Sequence, residues 1–248
     1  MLKVRIIPIL TFNGFGLVKT KKFAAPRMIG NPVQAAKVYN SRGVDELVFL
    51  DIFASEQNRK INLKLVKDVI KECYMPVAIG GGIQSIEDIN DLLKIGADKV
   101  IIKTKALTDI DFIKESVAFF GSQCITISID AIKDGDVFKV HNKLNIDITL
   151  EEFIAKMTEC NVGEFVLNSV DNDGQMSGFN IELINKVLNL THVPVIGVGG
   201  GGEMKDYIEL FQKTKIGAVG SSSIFHFTQY TPGDIKKELA AINIPVRI

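Results

Sequence analysis

The sequence predicts a closed (β/α)8 barrel, and three observations lead there. Short apolar runs alternate with amphipathic stretches along the whole chain, eight such runs fit into 248 residues, and two glycine-rich turns recur at one fixed spacing. The runs read as strands in order: VRIIPIL (4–10), ELVFLDI (46–52), PVAIG (76–80), KVIIK (99–103), CITISID (124–130), EFVLNS (164–169), PVIGV (194–198) and GAVGS (217–221). Between them NPVQAAKVYNSR (31–42), INLKLVKDVIKEC (61–73), SIEDINDLLKIG (85–96), LEEFIAKMTEC (150–160), IELINKVLNL (181–190) and MKDYIELFQK (204–213) carry apolar residues at helical spacing. Strands that are apolar nearly throughout are buried on both faces, as parallel strands covered by helices are. Eight strand–helix units in one domain spanning 1–248 fit a closed barrel better than an open doubly wound sheet, which is the alternative.

The fixed spacing points to an internal half-barrel repeat. Gly80 and Gly199 open the two glycine runs 119 positions apart (199 − 80), and Thr104 and Ser223, after the fourth and eighth runs, are separated by the same interval. Two long segments remain, 11–30 and 131–148. The first would lie at the catalytic face of a barrel, where a lid belongs.

Charge and cysteine usage narrow the function. Lys and Arg together number 29 and so do Asp and Glu, so no global positive field exists to hold nucleic acid or an anionic membrane, and any anion must be held locally. MLKVRIIPIL is too short for a secretory signal and no run reaches membrane-spanning length, so a cytoplasmic protein is expected. Cys73, Cys124 and Cys160 share no close spacing with one another or with the three histidines, which gives no reason to expect a disulfide framework, a metal or a cofactor.

Glycine turns after strands let backbone amides approach a phosphate. One such loop is weak, but two at equivalent points, with Gly81, Gly82 and Thr104 on one side and Gly199, Gly200, Ser222 and Ser223 on the other, imply a ligand with a phosphate at each end. Lys103 would add a cation beside the first. Asp51, Asp130, Asp171 and Asp173 lie where barrel strands end. Asp130 is the best placed as a general acid or base, although a helix-capping role fits it equally. His226 in SIFHF reads as a packed histidine, and His141 and His192 as loop residues. At the opposite strand ends Arg5, Glu46, Lys99 and Glu164 are two positive and two negative charges, which read either as exposed flanks or as a neutral ring.

RIIP (5–8), DELVFLDI (45–52), GGGI (80–83), GADKV (96–100), FGSQ (120–123), ID (129–130), DNDG (171–174), PVI (194–196) with GG (199–200), and SIFHF (223–227) together resemble the cyclase subunit of imidazole glycerol phosphate synthase, of the histidine-biosynthesis barrel group. The resemblance spans essentially the whole chain. It implies a barrel that forms a heterodimer with a class I glutaminase at its N-terminal face, near Asp98, and that receives ammonia through an Arg–Glu–Lys–Glu gate found here as Arg5, Glu46, Lys99 and Glu164. It also implies a phosphorylated small-molecule ligand, with Asp173 and Gly174 of DNDG among the phosphate contacts and Lys19 in the lid.

The family cyclises with two aspartates. One is kept as Asp130, while the other position is Thr11, again 119 residues earlier, and threonine does not titrate near neutral pH. Lys103, Phe53, Asn168 and Val198 also depart from the family's usual residues, all at the chemistry face. The pattern looks like the cyclase-like subunits that serve a glutaminase and a separate sugar amidotransferase in surface-polysaccharide pathways. That reading ranks first from sequence. An authentic cyclase and lyase of histidine biosynthesis is the alternative, and a scaffold that only activates its glutaminase is third.

Overall fold

The computed structural model describes residues 3–23 and 25–248. In chain order the elements are β1 (Arg5–Phe12), β2 (Leu17–Lys19), β3 (Arg27–Gly30), α1 (Pro32–Ser41), β4 (Leu47–Asp51), α2 (Leu63–Ile70), β5 (Val77–Gly80), α3 (Ile86–Lys94), β6 (Lys99–Ile102), α4 (Thr104–Thr108), α5 (Ile110–Phe120), β7 (Ile125–Asp134), β8 (Val137–Val140), α6 (Leu150–Glu159), β9 (Glu164–Ser169), α7 (Ile181–Leu190), β10 (Val195–Val198), α8 (Met204–Lys213), β11 (Ala218–Ser221), α9 (Ser223–Phe227) and α10 (Pro232–Ala241). The eight apolar runs become β1, β4, β5, β6, β7, β9, β10 and β11, each parallel to its neighbour. Arg5 pairs with Ala218 and Ile7 with Gly220, so the last strand closes on the first and the open sheet is excluded.

Two-sided burial has a simple origin in the pleat, which sends alternate side chains to opposite faces. Ile7 and Ile9 of β1, Val48 of β4, Ala78 of β5, Ile101 of β6, Val166 of β9, Ile196 of β10 and Ala218 of β11 form a cluster inside the barrel. Their neighbours, such as Ile6, Phe49, Ile79, Ile127, Phe165 and Val219, pack outward into the larger cluster under the helices.

The helices start where the sequence supplies caps. Asn31 accepts from Val33 and Gln34 ahead of Pro32, and Ser85 with Asp88, Thr149 with Glu152, and Thr231 with Asp234 form capping boxes. Helix α10 is locked by a buried ion pair. Lys236 Nζ donates to Asp45 Oδ1 at 2.8 Å while Asp45 Oδ2 accepts from Ile6 N at 3.0 Å, tying the C-terminal helix to the barrel bottom.

The two long segments are hairpins grown from barrel strands. β2 and β3 pair antiparallel beyond β1, and β7 runs on past Asp130 to pair with β8. Both extensions rise from C-terminal strand ends. No helix among the described residues is long and apolar enough to cross a membrane.

Candidate active site

A deep pocket opens at the C-terminal ends of the barrel strands. Ile9, Leu50, Ile101, Ser128, Val166 and Val198 line its depth, and Thr11, Lys19, Lys103, Thr104, Asp130, Asp173, Gly174, Ser222 and Ser223 stand higher on its walls with the glycine turns 81–82 and 199–201. Apart from Asp171, the top-face side chains selected from sequence meet in one cavity, although Thr11 and Ser223 are more than 200 positions apart in the chain.

The glycine turns are steric necessities. Gly81 has φ +119°, and a Cβ there would fall 2.3 Å from the Asp51 carbonyl; Gly200 has φ +111°, and its Cβ would fall 2.0 Å from the Gly178 carbonyl. Any side chain would push each turn off its neighbour, so backbone forms the pocket wall at both places. Thr104 and Ser223 begin α4 and α9 beside these turns. Ser222 Oγ, buried next to the second, has no hydrogen-bond partner among the described residues.

The carboxylates differ sharply in their surroundings. Asp130, on β7, is ion-paired with Lys103 Nζ and accepts from Asn168 Nδ2 at 3.2 Å. In this structure the Lys103 ammonium is turned to that buried carboxylate, and it also lies 5.7 Å from the Phe23 ring. Thr11 is turned away from acid–base work, since its hydroxyl donates to the Val18 carbonyl at 2.5 Å and pins the β1–β2 extension. Asp173 faces Lys19 Nζ at 3.7 Å, and burial raises its pKa, with Asp130 adding to that and Lys19 opposing it.

Asp51 is not free chemistry either. Arg59 grips it with Nη1 at 2.6 Å and Nη2 at 2.9 Å, and the amides of Phe53 and Ala54 donate to it at 3.1 Å. It organises the loop after β4, and Arg59, unmarked in the sequence, is its partner. Asp171 accepts from the Lys133 amide at 3.0 Å outside the pocket. His141, read as an ordinary loop residue, instead lines the pocket mouth with its ring centroid 5.7 Å from that of Phe23. Only the β7–β8 hairpin brings it there. His226 is packed, and burial together with Lys19 brings its pKa down to about 4.

At the other end of the barrel the four charges form a closed ring. Arg5 Nη1 donates to Glu46 Oε2 at 2.6 Å, and its Nη2 reaches Glu164 Oε1; Lys99 Nζ donates to Glu46 Oε1 at 3.0 Å and to Glu164 Oε2 at 2.7 Å. Burial would lower the Arg5 pKa, and the two carboxylates outweigh it and raise it. The acids are almost fully enclosed while Lys99 and Arg5 keep some contact with solvent, so the exposed-flank reading is corrected in favour of the ring. Asp98, beside Lys99, is exposed and accepts from the Val77 amide at 2.8 Å.

A closed parallel barrel with its pocket at the C-terminal strand ends is the architecture of the barrel enzymes, whose chemistry sits at that face. Residues 5–231 match the family described as histidine biosynthesis protein. The chain is 38% identical over 251 residues to imidazole glycerol phosphate synthase subunit HisF of Streptococcus mutans. It is 41% identical over 249 residues to the putative imidazole glycerol phosphate synthase subunit hisF2 of Campylobacter jejuni, and 40% over 254 residues to subunit HisF of Dictyoglomus thermophilum. Each of these matches covers the full length of both chains. The chain belongs to this histidine-biosynthesis family, in its group of HisF subunits.

Proposed function

We propose that this chain is the barrel subunit of a glutamine-dependent complex of the imidazole glycerol phosphate synthase type, taking ammonia from a glutaminase bound at the N-terminal face near Asp98 and delivering it to the top pocket. The observation that carries this is axial: a closed ring of four paired charges lies at one mouth of the barrel, and a polar pocket at the other. Neutral ammonia passes a ring whose charges already satisfy one another more readily than ammonium does, because a further cation would compete with Arg5 and Lys99.

In the top pocket the turns at 81–82 and 199–200, with Thr104, Ser222 and Ser223, hold the two phosphates of the ligand; Asp173 and Gly174 complete the set, and Lys19 on the β2 hairpin covers it. The printed names of the relatives favour the cyclase subunit of histidine biosynthesis over the sugar amidation that sequence alone ranks first, for those names carry no sugar acceptor. As cyclase, the subunit adds ammonia to a bis-phosphorylated ribonucleotide and splits it into imidazole glycerol phosphate and an aminoimidazole ribotide, with Asp130 as the remaining acid–base group.

One observation favours a second reading. Thr11 has no proton to exchange near neutral pH, and Asp130 is engaged by its ion pair with Lys103 and a hydrogen bond from Asn168. A barrel with this top face conducts ammonia to an acceptor on another enzyme, such as a sugar amidotransferase. The two readings separate in one experiment. Purified chain is mixed with the bis-phosphorylated ribonucleotide and ammonium salts, and loss of substrate absorbance is followed. Turnover at the level of a histidine-pathway enzyme establishes the cyclase, whereas substrate binding without turnover leaves the conduit.

A further inference from the structure

The interior of the barrel is apolar between the charged ring and the pocket, except along one strand. At the level below the pocket floor, Ile7, Val48, Ala78, Ile196 and Ala218 face inward from five strands. On β7 the inward positions are Thr126, Ser128 and Asp130, polar at every step, while Ile125, Ile127 and Ile129 between them pack outward under the helices. The register confirms the direction. Thr126 pairs with Glu164 of the ring on one side and with Ile101 of the inner cluster on the other, and Asp130 pairs with Asn168 at the pocket.

Thr126 is 1% exposed, and its hydroxyl has no hydrogen-bond partner among the described residues. An unpartnered buried hydroxyl is costly, and an isosteric valine would remove the cost. Ser128, one step higher, already lines the pocket. Alternate residues on a strand stand roughly 7 Å apart, beyond the span of two hydrogen bonds through one atom, so a small molecule leaves one hydroxyl and is met by the next a single short step higher.

We infer that Thr126 and Ser128 form a hydroxyl relay for ammonia, the step between the ring and the pocket. The inference rests on the ammonia-conducting reading above and assigns the path within it to the β7 side of the barrel. The hydroxyl of Thr126 accepts an N–H or donates to the nitrogen lone pair, and Ser128 then does the same at the pocket floor. No bond is made or broken and no proton changes owner. The surrounding aliphatic side chains offer such a molecule nothing, so they confine it to this track.

Two measurements test this. In atomic-resolution crystals of the full chain grown in alkaline ammonium buffer, the wild type should show an ordered molecule within hydrogen-bond distance of Thr126 Oγ1. Thr126→Val should lose it and Thr126→Ser should keep it; a dry wild-type interior, or density that persists beside valine, overturns the relay. In complex with the glutaminase and the bis-phosphorylated ribonucleotide, Thr126→Val should lower glutamine-dependent amination roughly threefold to tenfold, the loss of about one neutral hydrogen bond, and leave the rate with ammonium salts unchanged. Lys99→Met is the control. If it discriminates between the two ammonia sources and Thr126→Val does not, the relay fails while the channel stands; if neither discriminates, the channel falls and the relay with it. A complex that does not use this acceptor is decided by the crystals alone.

Discussion

Replacing Lys99 by methionine tests the ring at its most informative point. Lys99 Nζ is bonded to Glu46 at 3.0 Å and to Glu164 at 2.7 Å, and its removal turns a balanced set of two cations and two anions into one cation facing two anions. Breaking a fully buried pair costs about 3–5 kcal/mol. Here the lysine side chain is 21% exposed and both acids keep Arg5, so the cost should be lower, about 2 kcal/mol. For a chain of this size that is roughly 4–8 °C in Tm. Urea unfolding followed by far-UV circular dichroism measures it directly. Adding Glu46→Gln restores one cation to one anion, so the double variant should be more stable than the sum of the two single losses implies. A loss under about 0.5 kcal/mol for Lys99→Met, the range of ordinary surface changes, or strict additivity in the double variant, would show that the ring is not paired in solution, and the argument for a gated mouth would go with it.

Three further outcomes are expected. On the conduit reading, Thr11→Asp combined with Lys103→Asn restores an ionisable group and frees Asp130 from its ion pair, and should raise ribonucleotide turnover from little in the native chain to a measurable level; native turnover matching a histidine-pathway enzyme refutes that reading and leaves the cyclase. Crystals grown in sulfate should show anion density at the 81–82 turn beside Thr104 and at the 199–200 turn beside Ser223, and two empty turns at saturating sulfate would count against the phosphate assignment. His226 titrates at about 4 when folded against an ordinary 6.5, so its neutral form favours the native state and that contribution, complete above pH 6.5, is lost as pH falls toward 4. The full loss is about 3 kcal/mol at 1.36 kcal/mol per unit; denaturation curves at stepped pH should steepen over this window for native protein and flatten for His226→Gln, and an NMR titration of His226 near 6.5 would refute it.

The barrel was legible in the amino-acid sequence because its cause is local. Each strand's run of Val, Ile and Leu must be buried on both faces wherever it lies, and most of the longer helices carry their own cap and apolar stripe, so periodicity reports them without knowledge of neighbours. The glycine turns were legible for the same reason: Gly81 and Gly200 occupy backbone conformations that other residues rarely adopt. What the sequence could not determine is which charge meets which, because ion pairing depends on distances across the fold rather than along the chain. Lys103 could have served the adjacent turn, but closure of the barrel puts Asp130 within its reach. Arg59 shows nothing in the sequence that marks it, yet the loop after β4 folds it onto Asp51. His141 becomes a pocket residue only when β8 pairs with β7. Arg5, Glu46, Lys99 and Glu164 are spread over 160 positions and read as a ring only by resemblance; the register of four parallel strands makes them one, since in a closed barrel the first inward residues of strands far apart in sequence share a single mouth.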